Sequence, residues 1–162
     1  MKKILFIVIL AFITLHCQAK QSRVIVGAEQ TNDYLPILKN KRIAVFSNHT
    51  SMVGNKHLLD VLLENKINVV AIFSPEHGFR GNADAGEHVS SSVDQKTGVP
   101  ILSLYDGQLG KPSEDSMRKF DLLIVDIQDV GLRFYTYYAS MVRLMDACAE
   151  YNRKMLILDR LH

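Results

Sequence analysis

Short, continuously apolar runs alternate along this chain with segments of helical periodicity, and that alternation constrains the fold more than any other feature. Residues 43–46 form the first run, led in by Lys41 and Arg42 and ended by Ser47, Asn48, His49 and Thr50. Residues 55–65 carry Leu58, Leu59, Leu62 and Leu63 at helical spacing. A second run, 67–73, stops at Ser74-Pro75, and a third, 101–105, opens after Pro100 and closes at Asp106-Gly107. A short helix is predicted over 113–119 with Ser113 as its N-cap, then a strand over 122–127. The longest helix is predicted over 134–151, with Met141, Leu144, Met145 and Cys148 on one face, followed by a fifth strand over 155–158. Strands that are apolar on both faces, separated by helices, form a parallel sheet covered on both sides. The expected fold class is therefore α/β, a Rossmann-like doubly wound parallel sheet. Residues 76–98 lack apolar periodicity and read as a loop, or a loop holding one short helix. Connections of that length in a compact domain are usually functional.

In an open parallel sheet, ligands bind outside the carboxyl ends of the strands. Polar side chains gather at each such end: Asn48 and His49; Glu76, His77 and Arg80; Tyr105 and Asp106; Asp126, Gln128 and Asp129, with Arg133, Tyr135 and Tyr137 close behind; Asp159 and Arg160. Simpler roles exist for most of them. Asp126 and Asp159 serve equally well as helix caps or turn closers, Asn48 as the holder of its turn, and His77 as a structural donor. The tyrosines at 135, 137 and 138 cannot all face one site on a helix. Glu76 differs, because a carboxylate between Ser74-Pro75 and His77-Gly78 completes no apolar face. Carboxylates, an Asn, a Gln and aromatic rings on one rim suit a sugar, whose glycosidic cleavage needs a carboxylic acid to protonate the leaving oxygen. Spacing alone supports only a polar small-molecule site with acid–base capacity.

Several functions are disfavoured. The glycines at 78, 81 and 86 match neither the dinucleotide fingerprint nor a P-loop, and no Gly-x-Ser-x-Gly elbow is present. The histidines at 49, 57, 77 and 88 lack zinc-ligand spacing. Lys2 and Lys3, the apolar run 4–15 and the small residues Cys17 and Ala19 form a secretory signal peptide over 1–19. An uncleaved anchor is an alternative, as is a lipoprotein with Cys17 lipidated, although His16 fits poorly the small residue expected before such a cysteine. The signal holds two lysines and no acids, so the remaining chain carries 17 Lys+Arg against 17 Asp+Glu. A balanced chain does not point to nucleic acid as a partner. Export places it in the periplasm or outside the cell, touching membrane only through its signal or a lipid anchor. Cys148 then has no intrachain disulfide partner, and its position on a helix face marks it as a small buried residue.

Ser74-Pro75-Glu76-His77-Gly78-Phe79-Arg80-Gly81 and the run from Asp121 to Tyr137 resemble the NamZ family of bacterial exo-β-N-acetylmuramidases. Ala85-Gly86-Glu87 and the segment from Pro100 to Tyr105 match in order and spacing. The resemblance implies a Rossmann-like N-terminal domain joined to a barrel-like C-terminal domain, with the active site in the cleft between them. It implies release of terminal N-acetylmuramic acid from peptidoglycan fragments, with no metal or nucleotide cofactor. Carried over by residue, Glu76 is the catalytic acid. Asn48 on the same rim, with His77, Arg80, Asp126, Gln128, Asp129, Arg133 and Tyr137, binds substrate or supports the acid. The end departs from the pattern: Leu158-Asp159-Arg160-Leu161-His162 stands where the family continues Leu-Asp-Arg-Pro-Asn-Pro. Residues 20–162 are thus expected to be the N-terminal domain alone, truncated at its C-terminal end, with little activity by itself. The competing expectations are a non-catalytic muropeptide-binding module and an inactive gene fragment.

Overall fold

The computed structural model describes residues 24–75, 79, 92–102, 104, 111–132 and 135–160. Strands β1 (Ile43–Ser47), β4 (Val69–Phe73), β6 (Pro100–Leu102), β7 (Leu122–Asp126) and β8 (Lys154–Ile157) lie parallel. A two-residue strand, β5 (Ser92–Val93), pairs antiparallel with β6 at one edge. Among the described residues the sheet runs β5-β6-β4-β1-β7-β8. Numbered along the chain, its five parallel strands therefore stand in the order 3-2-1-4-5 of a doubly wound domain. The expected parallel α/β sheet is present. The reading of 76–98 as loop is corrected at its end, where residues 92 and 93 pair as a strand.

Both faces of the sheet are covered. Helix α1 (Thr31–Leu38) and α2 (Leu58–Glu64) pack on one face, against Ile43, Val45, Ile72 and Ile124. Helix α3 (Glu114–Arg118) and α4 (Thr136–Glu150) pack on the other, against Phe46, Phe73, Leu123 and Val125. Alternate residues of each strand thus enter opposite cores, which is why the strands read as unbroken apolar runs. Phe73 and Phe120 meet edge to face at 5.9 Å, a geometry that adds to their burial. Ser113 caps α3, its hydroxyl accepting from the Ser116 amide at 3.3 Å. At the amino ends of the strands Arg42 grips Asp121 (2.7 Å), and its guanidinium holds that carboxyl down at about 2. Both side chains are exposed, so this pair stabilises the sheet only slightly. Cys148 is buried in the second core, and burial pushes its thiol up to about 11.

The segment before α1 clasps the last strand. A 3-10 turn at Gly27–Glu29 lies against the chain leaving β8, with the Gly27 amide donating to the Asp159 carbonyl at 2.8 Å. Tyr34 of α1 donates its hydroxyl to the Ala28 carbonyl at 2.9 Å, and burial pushes that hydroxyl up to about 12. A Cβ on Gly27 would stand 2.7 Å from the Asp159 nitrogen and 3.0 Å from Leu158 backbone atoms. Backbone cannot yield as a side chain does. Gly27→Ala is therefore expected to cost about 1–3 kcal/mol as overpacking, visible as a lower urea midpoint with unchanged slope.

Candidate functional site

The chain leaves β1 toward β4 on one side of the sheet, and later places β7 on the other side. The carboxyl ends of β1 and β7 therefore flank the topological switch point, where such sheets bind ligands. Ser47 pairs in register with Asp126, so the two strands end level.

Asn48 follows β1 and is wholly buried. Its side-chain oxygen accepts from the Thr50 amide (3.0 Å) and hydroxyl (2.6 Å), a local turn that reverses the chain. The chain then makes a small hairpin, β2 (Met52–Val53) with β3 (Lys56–His57), turning at Gly54 with φ +57°. That hairpin replaces the first turn of the predicted helix, which begins only at Leu58. His57 ties it down: Nδ1 accepts from the Leu59 amide (3.2 Å), which leaves Nε2–H to donate to the Asn48 carbonyl (2.9 Å). A neutral imidazole satisfies both bonds, and Phe79 packs edge-on against its ring at 4.8 Å. His57 is thus a structural residue whose role the sequence did not reveal.

Asp126 ends β7 with no exposed surface. Its carbonyl accepts from Ser51 Oγ at 2.5 Å. Both carboxylate oxygens are taken by Arg160, from Nε at 2.5 Å and from Nη2 at 2.9 Å, and Nη2 also donates to the Met52 carbonyl at 3.0 Å. One guanidinium thereby joins the ends of β7 and β8 to the β2–β3 hairpin. Burial pushes the Asp126 carboxyl up from its ordinary value, while Arg160 pulls it back. A buried pair of this kind holds only because the fork satisfies both oxygens.

Beyond Asp126 the chain stays near the rim. The Gln128 amide donates to Thr50 Oγ1 at 3.4 Å, and its side-chain nitrogen to the Asp129 carbonyl at 3.1 Å. Asp129 Oδ1 accepts from the Gly131 amide at 2.6 Å. Tyr137 is buried and meets Tyr135 edge to face at 4.7 Å, whereas Tyr138 is 62% exposed. The tyrosines therefore divide between core and surface, as helical spacing requires.

A groove of about 230 Å³ opens at this edge between α4 and the ends of β7 and β8. Its lining combines apolar Ile127, Tyr138, Met141 and Ile157 with polar Asp129, Asp159 and Arg160. A wider depression of about 410 Å³ lies beside the hairpin, but its two lysines are tied to Glu64 and Asp60. The structure thus brings Asn48, Asp126, Gln128, Asp129 and Tyr137 to one end of the sheet. Asp129 and Tyr137 line the groove; Asn48 and Asp126 lie beneath the surface. Glu76, His77, Arg80 and Arg133 lie outside the described residues, as do Tyr105, Asp106 and the whole segment 1–19. Among the described residues no group of three or more His, Cys, Asp or Glu could hold a metal ion, and no helix is long and apolar enough to cross a membrane.

Residues 43–162 match the family model described as exo-beta-N-acetylmuramidase NamZ, N-terminal. The chain belongs to the NamZ family. It is 43% identical over 145 residues to the peptidoglycan beta-N-acetylmuramidase NamZ of Bacillus subtilis strain 168, a match covering 88% of this chain and 35% of that protein. Two solved structures of DUF1343 family proteins from Bacteroides fragilis NCTC 9343 are also similar. One is 74% identical with a TM-score of 0.75, covering 87% of this chain and 36% of that one. The other is 36% identical with a TM-score of 0.72, covering 83% and 34%. The chain therefore spans about a third of the length of these NamZ-family relatives, and it corresponds to their N-terminal part.

Proposed function

We propose that this chain is the sugar-handling N-terminal part of an exo-acting β-N-acetylmuramidase, which releases terminal N-acetylmuramic acid from peptidoglycan fragments. The observation that carries the proposal is the family membership joined to the site geometry: the matched residues include the rim at the switch point. In the proposed reaction water adds across the glycosidic bond. Glu76 protonates the leaving oxygen as the bond to the anomeric carbon breaks, and the attacking water bonds that carbon and releases a proton. His77, Arg80, Gln128, Asp129, Arg133 and Tyr137 bind the sugar or support the acid. Asn48 and Asp126 act through the turn and the guanidinium they hold.

The test is a chromogenic β-glycoside of N-acetylmuramic acid offered to the chain. Chromophore release by the chain supports the hydrolase. Binding of the sugar without release, even when the rest of a relative is supplied in trans, favours a second reading, a muropeptide-binding module. That reading is kept because the chain spans only about a third of its relatives. Export is part of the proposal, and cleavage after Ala19 predicts a secreted or periplasmic form beginning at Lys20. Intact-mass measurement of protein from an exporting host checks it; a lipid-modified Cys17 would replace cleavage at Ala19 with an anchored form.

A further inference from the structure

Among the described residues Arg160 is the one cation lining the groove, and its guanidinium is only partly used. Nε and Nη2 are committed to Asp126 and the Met52 carbonyl, whereas Nη1 has no hydrogen-bond partner among the described residues. The planar fork is thereby locked by a fully buried carboxylate and by a backbone oxygen, with one end left to donate. We infer that Arg160 is a sugar-contacting residue of this groove, and that its Nη1 donates to an uncharged oxygen, a hydroxyl or acetamido carbonyl, of an N-acetylhexosamine ring.

Three observations favour an uncharged acceptor over a carboxylate. The charge of Arg160 is already balanced by Asp126 at 2.5 Å, so the pair offers little net attraction to an anion. Asp129 and Asp159 line the same groove and would repel one. The edge that a carboxylate would grip in two-point fashion is shared with Nη2, whose outward hydrogen is occupied by Met52. The remaining lining suits a pyranose. Tyr138, Met141 and Ile157 in the lining offer apolar surface to its C–H face, and Asp129, Asp159 and Arg160 offer polar groups to its hydroxyls. A volume of about 230 Å³ falls below the roughly 300–1,000 Å³ of drug-sized sites, so the groove fits one ring rather than a chain of them.

This inference rests on the sugar reading above, and the experiment separates the two. Arginine side-chain 15N resonances of the full chain are followed by NMR during titration with N-acetylglucosamine and, separately, with N-acetylmuramic acid, which adds a lactyl carboxylate to the same ring. The Arg160 Nη signals are expected to shift with both sugars. Arg160→Lys keeps a positive charge against Asp126 but loses the fork, and is expected to weaken both sugars in parallel, roughly ten- to hundredfold. Tyr138→Ala, at an exposed site where folding is not in question, should also weaken both. Loss confined to N-acetylmuramic acid would overturn the uncharged acceptor and give Arg160 to the carboxylate. Sugar binding with silent Arg160 signals would overturn the assignment while leaving the sugar reading intact. Failure of the unsubstituted chain to bind either sugar would overturn the sugar reading, and this inference with it.

Discussion

Replacing Arg160 by methionine is expected to destabilise the domain by about 3–5 kcal/mol, because it strands a buried carboxylate. Asp126 has no exposed surface, and Arg160 satisfies both of its oxygens. Methionine keeps much of the apolar stem, so the loss reports the charge rather than a cavity. The penalty depends on pH with a definite sign. Burial already pushes the Asp126 carboxyl up, against the pull of Arg160; without the arginine the main pull against burial is gone and the folded-state value climbs further. A group raised in the folded state contributes stability that is complete below its unfolded value and is lost as pH rises through its folded value. The variant should therefore be least impaired near about pH 4 and most impaired near about pH 8. Urea midpoints at the two pH values measure this. Adding Asp126→Asn to the variant should restore most of the loss at the higher pH, since the stranded charge is then gone. An equal penalty at both pH values would mean that the pair does not hold an ionised carboxylate.

That pair also shows where legibility in the sequence ends. The parallel strands and α2, α3 and α4 were readable, because a strand buried on both faces must be apolar throughout and a surface helix must repeat its apolar face. Their ends shifted by one to a few residues: α4 was expected over 134–151 and runs Thr136–Glu150. Helix α1 was missed because its eight residues contain Pro36 and begin with Thr-Asn-Asp, which masks the apolar face of Tyr34, Leu35 and Leu38. The β2–β3 hairpin was missed although Gly54-Asn55 is a turn signal that could have found it; each strand has only two residues. Asp126 and Arg160 were both visible as rim residues. Their bond was not, because it joins positions 34 apart and depends on how β7 and β8 align. The same dependence hid the tie between His57 and the Asn48 carbonyl, which exists only once the hairpin folds back.

With Glu76 as the acid of the proposed reaction, Glu76→Gln is expected to slow hydrolysis of a muropeptide by about 10²–10⁴-fold, the contribution typical of a positioned general acid. The glutamate follows β4 by three residues, after Ser74-Pro75, and β4 pairs directly with β1, whose end carries Asn48. The described chain after β4, to Pro75, thus leaves the sheet from the same carboxyl end as Asp126. Glutamine preserves size and polarity but has no carboxylic proton to give, so affinity for free N-acetylmuramic acid should change little. The leaving group supplies the decisive comparison. A natural glycan departs as a basic alkoxide that must be protonated, whereas an acidic phenol departs readily as its own anion. Loss of a proton donor therefore impairs the glycan far more than an aryl glycoside with an acidic phenol. If both substrates lose rate equally, Glu76 serves the step at the anomeric carbon instead, as nucleophile or as base toward water. If affinity falls in step with rate, Glu76 is a ligand contact, and the proton comes from another residue of the rim.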